Sequence, residues 1–82
     1  MYQEVKEKVA VLAYFPGGNL VPKAFKWQGR KHLISKVNLT YQEREGESIN
    51  YFYAVETPSG GVFKLAYNDK KLFWLLEEYW LE

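Results

Sequence analysis

Turn-forming clusters recur along the chain at Pro16-Gly17-Gly18-Asn19, Gly29-Arg30, Glu45-Gly46-Glu47-Ser48, Thr57-Pro58-Ser59-Gly60-Gly61 and Asn68-Asp69-Lys70-Lys71. Glycine and asparagine tolerate positive φ and proline withdraws a main-chain donor, so each cluster ends an element. The intervals between them are short and rich in Val, Ile, Tyr and Phe, residues that pack well on a pleated surface. Hairpin-linked strands are the architecture that satisfies both facts.

Residues 4–15 set Val5, Val9, Val11, Ala13 and Phe15 on one parity and Lys6 and Lys8 on the other, the period-two pattern of a half-buried strand. A second strand over residues 23–28 points Phe25 and Trp27 to one face and Lys26 and Gln28 to the other, and the chain turns at Gly29-Arg30. Residues 31–45 are long for one strand. Leu33, Val37, Leu39 and Tyr41 share a parity that Ile34 breaks, which a bulge or bend near Ser35-Lys36 would reconcile. Ile49–Glu56 reads as a strand apolar on both faces, and Val62–Tyr67 follows with Phe63, Leu65 and Tyr67 in phase. The segment Leu72–Glu82 fits a strand by its four aromatics, with a helix as the alternative because Leu72, Leu75, Leu76 and Tyr79 share a helical spacing. The expected fold is therefore all-β: one small domain over residues 1–82, an antiparallel meander of five to six strands. Strong curvature or closure into a small barrel is expected because open edges invite aggregation.

Composition bounds the role. A chain of 82 residues supports one core, and with no cysteine its stability must come largely from burying aromatics, which make up 18% of it. The absence of cysteine fits a reducing cytoplasm, and no apolar run is long enough to span a bilayer, so the expectation is a soluble, cytoplasmic protein without a membrane partner. Net charge is only +1, yet every formal charge from Lys23 to Gln42 is positive, whereas four acids face Arg44 alone between Glu43 and Glu56. His32 is the single histidine, and there is no phosphate-binding loop, dinucleotide fingerprint or zinc-ligand spacing. No enzyme, metal or cofactor is expected.

The ordered landmarks Gly18-x-Leu20-x-Pro22, Phe25-x-Trp27-x-Gly29-Arg30, Val37, Tyr41, Tyr51-Phe52, Gly60-Gly61-Val62-Phe63-Lys64-Leu65, Asn68-Asp69 and Trp74-x-Leu76 carry a resemblance. Over roughly Val9–Trp80 the chain resembles a family of short bacterial domains of unknown function whose hallmark is the Phe-x-Trp-x-Gly-Arg segment. The resemblance implies a fold more than an activity, because its motifs are aromatics and turn glycines. Relatives often carry Trp-Arg-Gly-Arg, then a Tyr shortly after the turn, and a Trp at the Tyr41 position; Gln28, His32 and Tyr41 stand here instead. The turn is thus less basic than in those relatives.

Two binding roles emerge. Aromatic faces stack the bases of single-stranded nucleic acid while cations follow its phosphates, and with Phe25 and Trp27 inward, Lys26, Arg30, Lys31, His32, Lys36 and Lys64 would form a basic sheet face for it. Alternatively, the aromatic excess at Tyr51, Phe52, Tyr53, Trp74, Tyr79 and Trp80 would recruit a protein partner or a second copy of the domain.

Overall fold

Each punctuated segment becomes a strand in the computed structural model, which describes residues 2–81: β1 (Tyr2–Tyr14), β2 (Val21–Trp27), β3 (Arg30–Leu33), β4 (Lys36–Glu45), β5 (Ser48–Glu56), β6 (Val62–Asn68) and β7 (Phe73–Trp80). They form one seven-stranded sheet in the order β3-β2-β1-β7-β6-β5-β4, every neighbouring pair antiparallel. A single 3-10 turn, Pro16–Gly18, links β1 to β2, and no helix among the described residues is long and apolar enough to cross a membrane.

Three expectations change. The strands number seven rather than five or six, because Ile34-Ser35 divides the predicted long strand. Ile34 N donates to Lys23 O at 3.0 Å while Ser35 N donates to Glu56 O at 2.8 Å, so consecutive amides serve opposite ends of the ladder. Nor does the ladder close into a barrel: β3 and β4 are its two edges and do not pair with each other. The turn after β2 is Gln28-Gly29, not Gly29-Arg30; both residues have positive φ, 52° and 73°, and Trp27 pairs with Arg30 across it. Such a two-residue connection matches the right-handed twist of its strands.

The carboxyl-terminal segment is a strand over Phe73–Trp80, Glu82 lying outside the described residues. β7 pairs with β1 on one side and β6 on the other, and main-chain bonding along both edges outweighs the helix propensity of Glu77-Glu78. β1 also serves two partners, Tyr2–Val9 facing β7 and Ala10–Tyr14 facing β2, with register shifts at Glu4/Glu7 and Leu12/Ala13.

The core gathers Phe25, Tyr53, Val55, Phe63, Leu65, Trp74 and Leu76, with Val5, Val9, Val11, Ala13 and Trp27 packed against it. Phe15, expected in phase with them, is exposed in the loop after β1. Of the parity set Leu33, Val37, Leu39 and Tyr41, only Val37 reaches the core. Leu33 belongs to β3, where Phe25 opposes His32 and so turns His32 inward and Leu33 outward. Beyond it, a bulge between Val37 and Leu39 reverses the alternation and sends Leu39 and Tyr41 to the other face.

Candidate interaction surface

The predicted basic face is dispersed. Lys26 and Lys31 are direct cross-strand partners at the β2–β3 edge, with Arg30 exposed beside them at the turn. His32 does not point outward with them: its ring stacks on Phe25 at 4.9 Å between centroids and tilts against Phe63 at 5.5 Å. Lys36 opens β4 opposite Glu56, and Lys64 lies on β6, three strands from β2 in the ladder order. Around Lys26 and Lys31 the outward side chains are small or aliphatic, because Ala10 opposes Lys26 and Ala24 lies between Leu12 and Leu33.

The predicted aromatic set also divides. Phe52, Tyr53 and Trp74 are buried, Tyr51 and Tyr79 are half-buried, and Trp80 is 55% exposed. Tyr53 is tied down further, its hydroxyl donating to Leu20 O at 2.9 Å, and burial first, with Tyr51 second, raises its pKa above the ordinary tyrosine value.

What gathers instead is an aromatic outer face across β4, β5, β6, β7 and the start of β1. One row of neighbours runs Tyr41, Phe52, Ala66, Leu75; the next Leu39, Ala54, Lys64, Glu78, Glu4; the third Glu56, Val62, Trp80, Tyr2. Tyr41 stacks on Phe52 at 4.8 Å and Tyr2 tilts against Trp80 at 5.9 Å. Lys64 lies over this floor, its Nζ 4.8 Å from the Phe52 centroid and 5.3 Å from that of Tyr41. The Tyr41 hydroxyl is the main influence holding Lys64 above the ordinary lysine pKa, burial opposes it, and Glu78 and Glu77 reinforce it. The Tyr2 hydroxyl donates to Glu78 Oε1 at 3.0 Å, and that bond is the chief reason the phenol titrates above its usual value. The rows enclose a shallow cleft of ≈ 380 Å³ whose exposed lining includes Tyr2 (48%), Leu39 (56%), Tyr41 (36%) and Trp80.

Charge on this face is mixed: Lys64 is set among Glu4, Glu56 and Glu78. Aromatics therefore sit beside acids, and the Lys26–Lys31 pair sits beside aliphatic side chains. A second cleft of ≈ 520 Å³ opens between the β1–β2 loop and the β4–β5 hairpin, with Phe15, Asn19, Leu20, Thr40, Gln42 and Tyr51 in its walls. Among the described residues no group of His, Cys, Asp and Glu is placed to hold a metal ion.

Tyr2, Leu39 and Tyr41 were not among the residues predicted to form a binding surface. Tyr2 shares the even parity of Lys8, which marks an outward position. Leu39 and Tyr41 were hidden by the bulge, whose only sequence trace is polar Asn38 between two apolar residues. No family model, curated protein or solved structure matches the chain.

Proposed function

We propose that this domain is a binding module for protein surfaces, acting through the aromatic outer face rather than through a basic one. The observation that carries the reading is the clustering of exposed Tyr2, Leu39, Tyr41 and Trp80 on one sheet face, over a floor of Phe52, Ala54 and Val62. A patch of large apolar side chains rimmed by charges is costly to leave in water and suits a partner that brings its own apolar residues. Tyrosine and tryptophan contribute much contact area for little lost rotamer freedom. The role is one of binding in the cytoplasm, without catalysis or cofactor; in support, the one histidine is packed on Phe25.

Strong curvature of the sheet belongs to the same reading. Its support is the two-residue link between the edge strands and the 5.1 Å approach of Phe25 on β2 to Phe63 on β6, strands that the ladder order separates by β1 and β7. Membership of the Phe-x-Trp-x-Gly-Arg family belongs here too, supported by the structural places that Phe25, Trp27 and Gly29 hold.

The reading is tested by placing a photo-crosslinking amino acid at Trp80 or at Lys26 and irradiating cells. Discrete protein adducts from position 80 and not from position 26 are expected; adducts from position 26 alone, or from neither, overturn it. Single-stranded nucleic acid is the second reading, favoured by the directly opposed Lys26 and Lys31, whose like charges repel unless an anion joins them. A labelled oligonucleotide titrated at low and moderate salt distinguishes it: binding lost on Lys26→Glu with Lys31→Glu supports this reading, and no binding at low salt eliminates it.

A further inference from the structure

Resting on the protein-binding reading, we infer that the partner is a second copy of this chain, joined edge to edge through antiparallel pairing of β4 with β4 about a two-fold axis. The hairpin after β4 decides which main-chain groups are free. Glu45 and Ser48 close it as a pair across two residues, Gly46 having positive φ, and such closing pairs exchange both their hydrogen bonds. Bonding then alternates along the strand, so Glu43, Tyr41 and Leu39 bond to Asn50, Phe52 and Ala54. The amides and carbonyls of Thr40, Gln42 and Arg44 consequently point away from β5. β4 is the last strand of the ladder and its side chains are exposed throughout, Val37 apart, so that row of donors and acceptors faces solvent.

An open strand edge is a template for another strand, and natural edges are blunted by bulges and charges. Here the bulge lies before Leu39 and the charges begin at Glu43, leaving Leu39–Gln42 bare. The ends of β4 complement each other in an antiparallel pair: Lys36 stands at one end, Glu43 and Glu45 at the other, so each lysine of one copy meets the acidic end of its mate. A register centred on Tyr41 fits. It makes Thr40 and Gln42 of opposite copies a hydrogen-bonded pair and brings the two Tyr41 side chains together on the outer face, joining the aromatic faces of both copies.

Sedimentation equilibrium of the full chain over a wide concentration range tests this. The wild type is expected to approach twice the monomer mass. Gln42→Pro removes an outward-pointing amide and no bond to β5, so it should keep the wild-type far-UV spectrum and weaken association about 10-fold or more. Lys36→Glu should weaken it as well, and Lys36→Glu combined with Glu45→Lys should restore it, because the charges then complement each other again. A wild type that stays monomeric at the highest concentration, or a dimer indifferent to Gln42→Pro and to the charge exchange, overturns the inference. Heterologous adducts from position 80 in a strictly monomeric protein would leave the protein-binding reading standing and this inference refuted.

Discussion

Asn68 closes β6 with all its side-chain hydrogen-bonding capacity in use, and removing it measures what holds that end of the sheet. Its Oδ1 accepts from Lys70 N at 2.9 Å and Lys71 N at 2.8 Å, which shapes the turn into β7, while Nδ2 donates to Asn50 Oδ1 at 2.7 Å and Ser48 Oγ at 3.2 Å, tying the turn to β5. The residue is 6% exposed, so water cannot replace these partners in place. At about 0.5–1.5 kcal/mol net per bond, Asn68→Ala should cost roughly 2–4 kcal/mol, a drop of about 10–25 °C in Tm for a domain of this size. Asn68→Asp separates the two halves of the network: the acceptor bonds to the turn survive and both donors are lost, so roughly 1–2 kcal/mol is expected at neutral pH. The assay is urea denaturation followed by tryptophan fluorescence, with the slope checked for constancy. An Asn68→Ala variant within about 0.5 kcal/mol of wild type would refute the assignment of this stability to the four-bond network.

Gln28 holds a left-handed conformation at the first position of the β2–β3 turn, where asparagine is at ease; Gln28→Asn should stabilise the domain by about 0.5–1 kcal/mol, measured by denaturant midpoint. Tyr53→Phe should cost about 0.5–1.5 kcal/mol at pH 7 through the lost bond to Leu20 O. It should also flatten the alkaline loss of stability. The pKa of Tyr53 is raised by folding, so the unfolded chain releases that proton first, and the phenol's contribution is complete below its ordinary value of 10.0 and falls as pH rises beyond it. Urea titrations at pH 7 and above pH 10 check both parts.

Where a turn is punctuated by glycine or proline and its strands alternate without interruption, the fold is legible from residue types alone. The β1–β2 and β5–β6 hairpins and the inward set Val5, Val9, Val11, Phe63 and Leu65 follow from period two and turn chemistry, whereas the strand over Phe73–Trp80 competes in the sequence with the helical spacing of Leu72, Leu75, Leu76 and Tyr79. The bend near Ser35 is legible as well, but its consequence is not. Parity arguments describe one strand at a time, and nothing in the residues states that amides 34 and 35 bond to opposite ends of the ladder. The candidate surface suffers from the same limit. One bulge at Asn38 moves Leu39 and Tyr41 from the expected core to the outer face, and one change of partner turns His32 from that face into the interior. Both errors are register errors, and register is set by long-range pairing rather than by local propensity.

The claim that this domain works through the β4 edge and its adjoining aromatic face is tested most directly by amide NMR spectra of the wild-type protein over a dilution series. Concentration-dependent shifts or broadening centred on Leu39–Gln42, with Tyr2 and Trp80 following, are the predicted result. Unchanged spectra at those amides across the series, with shifts at Lys26, Arg30 and Lys31 on adding an oligonucleotide, would contradict it.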